Sequence, residues 1–355
     1  MAEDSVQTVD GESIVQRCLA LGFACAGVCR AEPTRWAAQL RDWLASGKHG
    51  SMDYLAQNLA LREDASRLTD PRARSVVMVA DQYASRNAPG EHGGQARVAR
   101  YAQGEDYHAV IKDRLHALAD ALRTEHPGHE FRTFVDTAPV LERELAARAG
   151  LGWTGKHTLL IHPERGSWLL LGGVATTLAI VPPREQLSVE DHCGTCTRCI
   201  DACPTGAITP YSVDASRCVS YLTIERRGEI APEFHAGIGE WIFGCDVCQE
   251  VCPHNSPRPA RATGAAHASY APRVRGLDAI ELLSWRPDDR SRVLSGSAMK
   301  RAKLEMLKRN ALIVLGNTRP AGARARIEQI AADATEHELV RATARQVLER
   351  WPETT

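Results

Sequence analysis

Apolar positions at helical spacing predict helices over residues 11–30 and 33–46, the second bounded by Pro33 and by Gly47 just past its end. Residues 75–80, Ser-Val-Val-Met-Val-Ala, form a largely apolar, β-branched run, which predicts a strand covered on both faces. Asp106 stands where a helix running through Leu122 needs a cap. Residues 130–135 predict another strand, with Asp136 at its C-terminal end. Thr137 is then expected to cap a helix that opens at Pro139 and closes at Gly150 and Gly152. Residues 168–181 read as one long or bent strand, in which Gly172-Gly173 marks a bulge or a close backbone approach. Strand alternating with helix over residues 75–181 predicts an α/β core, assigned to residues 1–185 and ended by Pro182-Pro183.

A different pattern begins after the prolines. Cys193-x2-Cys196-x2-Cys199-x3-Cys203-Pro204 is echoed by Cys245-x2-Cys248-x3-Cys252-Pro253, with Cys218 between them. This is the bacterial two-cluster ferredoxin arrangement, in which the fourth cysteine of each run serves the other cluster. It predicts one [4Fe–4S] cluster on Cys193, Cys196, Cys199 and Cys252, and a second on Cys203, Cys218, Cys245 and Cys248. Zinc has no use for three thiolates at this spacing followed by x3-Cys-Pro. Disulfides are disfavoured because Met1 to Ser13 is acidic and polar, with no export signal, so a reducing cytoplasmic setting is expected. The module is expected over residues 186–260. Cys18, Cys25 and Cys29 read as small buried hydrophobes on one helical face.

Residues 256–271, rich in Pro, Ala and Ser, read as a linker. Beyond it, Leu304, Leu307, Ala311, Leu312, Leu315, Ile327, Ile330, Leu339, Val340 and Val347 recur at helical spacing. They predict an α-helical, HEAT-like region over residues 271–355.

Composition adds two constraints. The chain has 355 residues and a net charge of -1, and its longest apolar run is too short to span a bilayer, so no membrane partner is expected. Residues 271–330 nevertheless hold 13 Lys/Arg against 6 Asp/Glu. Such a basic module fits an anionic partner, nucleic acid first, or equally an arginine-rich solvated surface. Asp136 has two readings as well, a general acid beside a bound cofactor or a helix cap. Asp106-x-His108 lacks the Gly, at the place of Ile111, of the motif that gives cobalt a histidine. Residues 152–158 match neither the Walker nor the Rossmann glycine pattern.

Phe134-Val-Asp-Thr-Ala-Pro-Val-Leu-Glu-Arg143, Gly150-Leu-Gly-Trp-Thr-Gly-Lys156, the crossed cysteines, Ser220-Tyr-Leu-Thr-Ile-Glu225 and Lys308-Arg-Asn-Ala311 before a helix together carry a resemblance. The chain resembles the epoxyqueuosine reductases, a family related to reductive dehalogenases. The resemblance implies reduction of epoxyqueuosine to queuosine at the wobble position of tRNA, the last step of queuosine synthesis. It implies base-off cobalamin beside the clusters, with Asp136 as proton donor, its pKa raised by burial against the corrin. Family position and loop context place Asp106, Tyr107, His108, Lys156, His157, Thr158, Ser167, Trp168, Tyr221 and Asp246 at the cofactor. Ser220, Arg226, Lys300, Arg301, Lys308 and Arg309 are the expected tRNA contacts. A monomer fed by an unidentified electron donor is expected. A small-molecule cobalamin reductase of the dehalogenase type, or a plain electron-transfer protein, would share the cysteine module.

Overall fold

The computed structural model describes residues 8–84, 96–256 and 266–352; residues 1–7 of the acidic N-terminal stretch and 257–265 of the expected linker lie outside them. At its centre, Cys25–Arg30, Ser75–Gln82, Leu169–Thr176 and Phe131–Phe134 form an antiparallel sheet in that order. All eight residues of Ser75–Gln82 are buried, because the sheet is covered on both faces. Val77 and Val79 join Ile111, Leu115, Leu118 and Leu122 of the helix Tyr107–Glu125 in one core. Val76, Met78 and Ala80 point the other way, into a second core with Leu145 and Ala146 of the helix Glu142–Arg148. The near-continuous apolar run is thus two alternating faces, each with its own helix.

Several expectations change. The helix expected over 11–30 ends at Ala20; the chain turns at Gly22 (φ 88°) and Cys25–Arg30 is a strand. Cys18 and Cys29 therefore lie in different cores rather than on one helical face, and burial pushes all three N-terminal thiols up to about 12. Residues 168–181 form two strands: after Thr176 the chain breaks, and Ala179–Val181 pairs in parallel with Thr8–Asp10. The register across Gly172-Gly173 is unbroken, so these glycines serve close approach and not a bulge. A Cβ on Gly172 would meet Ile111 at 2.8 Å, and one on Gly173 would meet the Phe134 ring at 2.6 Å. Thr137 caps nothing, because the next helix starts at Glu142 behind Leu141. Part of the expected linker is packed: Ala268–Tyr270 is a 3-10 turn whose Tyr270 hydroxyl donates to buried Asp81 at 2.6 Å.

A three-stranded sheet draws the chain's distant parts together. It is ordered Trp241–Phe243, Ala96–Val98, Gly276–Leu277, one strand from each expected region. Three helices, Leu304–Thr318, Ala323–Ala332 and Glu338–Glu349, form the C-terminal part, the first buried from Met306 to Leu315. Lys308-Arg309-Asn310 lies inside that first helix and not before it. Arg309 is fully buried and its guanidinium donates to the carbonyls of Leu222 (2.7 Å), Arg226 (2.5 Å) and Gly228 (2.5 Å). Asn310 donates to the carbonyls of Thr223 and Ile242 at 2.8 and 2.9 Å. These two side chains fasten the helical part onto the cysteine module. Arg309→Ala strands buried carbonyls without donors, so it should cost on the order of 3 kcal/mol in denaturant unfolding.

Candidate active site and cluster module

The eight cysteines of the module carry no disulfide and fall into two sets in space. Cys252 lies among Cys193, Cys199 and Cys196, whose charges bear on its thiol. Cys248 lies beside Cys245 and Cys218, and Cys203 bears on both of those partners. Cys199 also bears on Cys248, so the sets adjoin. This is the crossed grouping that the spacing predicts. Among the described residues no three Cys, His or acidic side chains close around a point as a single metal ion requires. Burial pushes Cys245 up to about 12 and Cys252 to about 11, so these thiols ionise only against a compensating positive centre such as cluster iron. Backbone N–H groups already face the sulfurs, with Ala207 donating to Cys203 at 3.3 Å and Ser220 and Tyr221 directed at Cys218.

Asp136 follows the strand Phe131–Phe134 in a loop where its φ is 53°, a backbone conformation uncommon for a non-glycine residue. It caps no helix. Its backbone N–H donates to Glu142 Oε1 at 2.6 Å, which holds the loop, while 59% of its side chain is accessible. His108 Nε2 lies 3.2 Å from Asp136 Oδ2, and His108 Nδ1 lies 2.7 Å from Asp106 Oδ1. Asp106 does cap its helix, accepting from the His108 backbone N–H at 3.1 Å. The Tyr107 ring stacks on His108 at 4.0 Å, and its hydroxyl hydrogen-bonds Asp136. The chain thus presents Asp106, His108 and Asp136 in a line, ending at open space.

Electrostatics divides the protons among these groups. Burial lowers the His108 pKa, but hydrogen bonds to Asp106 and Asp136 outweigh it and carry His108 up to about 9. Burial raises Asp136, but the hydrogen bond from His108, its charge, Tyr107 and Arg301 bring it below the usual carboxylate value. The expected raised pKa is therefore absent in the chain itself. Glu142 is the carboxyl that rises, to about 8, through burial and then repulsion from Asp136. At neutral pH the site holds an Asp136 carboxylate against a His108 imidazolium.

The expected cofactor residues separate into two groups. His108 and Asp106 are partly open, and Thr158 (φ 67°) sits on the rim, its carbonyl and hydroxyl accepting from exposed Arg143 at 2.7 and 3.0 Å. Others are buried and already engaged. Ser167 pairs with Gln249 and Asn255, Tyr221 with Ser51, and Asp246 Oδ2 with the Arg100 backbone N–H at 2.7 Å. Trp168 is 2% exposed beneath Arg100, and Tyr107 is buried against Asp136. His157 is buried with Nδ1 accepting from Leu159 N–H, and Lys156 Nζ donates to the carbonyls of Gly194 and Cys196. These side chains are engaged within the protein, Lys156 bracing the loop from Cys193 to Cys196.

Residues without a role in the sequence reading complete the cleft. Tyr101 lies near both Asp136 and Asp246, the neighbour of Cys245. An open cavity of about 340 Å³ is lined by Ser51, Asp53, Tyr54, Glu225, Arg226, Arg227, Gly228 and Arg301, and the last acts on Asp136. Arg301 pairs with Glu225 through two bonds of 2.8 and 2.9 Å and lies over the Tyr54 ring. Lys300 and Arg226 are exposed, and Ser220 is half-buried. Lys308 and Arg309 are corrections: Lys308 is buried against Glu336 at 2.6 Å and Arg309 is wholly interior, so neither presents its charge to a phosphate. Glu142 and Arg143 stood in the quoted motif, and their adjacency to Asp136 was the available signal.

Comparison with known proteins agrees with this arrangement. Residues 192–255 match the model of a 4Fe-4S double cluster binding domain, and residues 62–137, ending just past Asp136, match that of "Epoxyqueuosine reductase QueG, DUF1730". The chain is 38% identical to the epoxyqueuosine reductase of Shewanella oneidensis, covering 91% of this chain and 83% of that protein. It is likewise 38% identical to the Escherichia coli enzyme, over 86% of this chain and 80% of the other. A crystal structure of an epoxyqueuosine reductase with an epoxyqueuosine-modified tRNA-Tyr stem loop superposes with a TM-score of 0.84 at 26% identity, covering 96% of this chain and 89% of that one. The Bacillus subtilis enzyme, with its catalytic aspartate loop swung out of the active site, gives 0.82 at 25%, over 96% and 90%. With a double-cluster domain and relatives that match over nearly its whole length, the chain belongs to the epoxyqueuosine reductase family.

Proposed function

We propose that this chain reduces epoxyqueuosine in tRNA to queuosine, at a corrin bound in the cleft between Asp136 and the second cysteine set. The observation that carries the reading is the pairing, in one chain, of an accessible Asp136 carboxylate on a His108 imidazolium with a double-cluster domain, Tyr101 lying near both Asp136 and Asp246 of that domain. Converting an epoxide to an alkene takes two electrons and two protons and releases water. The crossed cysteines hold the electron store in two adjoining units. Bound cobalamin would supply a metal that takes up electrons singly and acts on the epoxide carbon.

The residues present fit such a group. His108, Thr158 and Arg143 are the polar side chains open around Asp136, and Tyr101 lines the wall toward Asp246. His108, with both ring nitrogens engaged by carboxylates, would not be offered to a bound metal. The proton starts on His108: its Nε2 passes it to Asp136 Oδ2 across 3.2 Å, and Asp136 hands it on to the departing oxygen. Tyr107 and Asp106 fix the imidazole in line, and Glu142 holds the loop.

The tRNA is read as lying along the Tyr54–Arg301 cavity, with its wobble nucleotide splayed toward Asp136. The helices 304–349 form the HEAT-like wall behind it. Arg301→Glu should weaken tRNA binding on the order of tenfold and reduce the salt slope by about one, measured by filter binding across salt. Lys308→Glu should instead lower thermal stability, because Lys308 is buried and the new carboxylate would face that of Glu336. A bacterial strain lacking its own epoxyqueuosine reductase, supplied with this chain, should regain queuosine in its tRNA; persistent epoxyqueuosine with normal expression would overturn the proposal.

A further inference from the structure

Trp153 belongs to none of the steps above, yet its position is tightly specified. The pair Trp153–Thr154 forms a short antiparallel ladder with Leu160–Ile161. Gly152 (φ 149°) permits that approach, since a Cβ there would fall 2.1 Å from the Ile161 carbonyl oxygen. The indole is 3% exposed and packs with Ile161 against Cys252 and Cys193, two thiolates of the first set. His192 and His254 stand edge-on to the ring, with centroids 5.1 and 4.8 Å away. Nε1–H is buried and has no hydrogen-bond partner among the described residues. A buried indole N–H left unpaired is costly, so its surroundings should supply an acceptor. The Cys193 side chain packs against this indole, and Trp153 and the Lys156 backbone N–H both act on its sulfur.

We propose that Trp153 is a positioning residue for the first cluster: its indole N–H donates to the Cys193 thiolate, raises that cluster's reduction potential, and screens it from water. The inference rests on the cluster-binding reading of the cysteines. An N–H directed at a ligand sulfur withdraws electron density, and so favours the reduced cluster, whose added negative charge sits partly on sulfur. The same side chain removes solvent from that face, because the ring fills the space between Ile161 and Cys252. Lys156 completes the brace through Gly194 and Cys196, so one loop holds the cluster loop by its carbonyls and touches one of its sulfurs.

The test uses the full chain, anaerobically loaded with iron and sulfide and grown with 15N-indole tryptophan. Pulsed EPR of the reduced first cluster should show a 15N coupling that persists in Trp241→Phe, whose ring packs near the second set. In Trp153→Phe the coupling should vanish, and the first cluster's midpoint should become more negative by a shift on the order of tenfold in its reduction equilibrium, ~59 mV for one electron. The second cluster's midpoint should stay in place. No 15N coupling in the Trp241→Phe protein, or an unchanged first midpoint in Trp153→Phe, overturns the proposal. Should Trp153→Phe fail to assemble its clusters, the Trp241→Phe spectrum alone decides. A chain that binds no iron at all contradicts the cluster reading itself, a distinct failure.

Discussion

Asp136→Asn is expected to lower turnover by on the order of 10²–10⁴-fold, while iron content and tRNA affinity stay at wild-type levels. The amide keeps the size and hydrogen-bonding reach of the carboxylate but cannot pass a proton from His108 to the departing oxygen. The exposed loop that carries it has few packing contacts to lose, since 59% of the side chain is accessible. A second readout separates this from misplacement. His108 stands at about 9 because two carboxylates face it, so removing one charge should bring its titration down toward the ordinary imidazole value by NMR. In the wild type, turnover should fall as pH rises through about 9, where His108 loses the proton it holds in reserve. The sign follows from the raised pKa: the imidazolium and its pairing with Asp106 and Asp136 are present below that range and lost above it. Turnover that rises across the same range would contradict the assignment of His108 as the proton reserve.

Cys248→Ala should abolish turnover altogether and halve the iron bound per chain. Cys248 is the thiolate of the second set that adjoins Cys199 of the first, so it stands where the two electron stores meet. Removing it takes one corner from the second cluster and leaves Cys203, Cys218 and Cys245 in place. Iron analysis and EPR of the reduced protein check the first half of the expectation, and tRNA nucleoside analysis the second. Full iron with full activity would mean that Cys248 is no ligand.

The parts of the molecule legible in the chain were those that local chemistry spells out. The crossed cysteine grouping follows from spacing, because a cubane's corners dictate which thiolates share it. The strand around Val77 and the cap at Asp106 follow from short-range patterns that tertiary structure did not override. Cys25–Arg30 was misread because Cys-Ala-Gly-Val-Cys-Arg suits either period, and only its pairing with Ser75–Gln82 selects strand. The His108–Asp136 contact joins residues far apart in the chain, and no local pattern announces it. Lys308 and Arg309 show the limit of counting charge: in sequence they are basic like Arg301, but helix 304–318 turns them inward, onto Glu336 and the carbonyls after Leu222. The three-stranded sheet through Ala96–Val98 was invisible for the same reason, each strand being two or three residues long.

The most direct test is a single reaction. The chain, loaded with iron, sulfide and cobalamin and reduced without oxygen, is mixed with tRNA carrying epoxyqueuosine, and the digested nucleosides are analysed by mass spectrometry. Loss of one oxygen from the modified nucleoside, with queuosine appearing in equal amount and only when both cofactors are bound, is the predicted result. Epoxyqueuosine recovered intact from a fully loaded, tRNA-bound protein would contradict it.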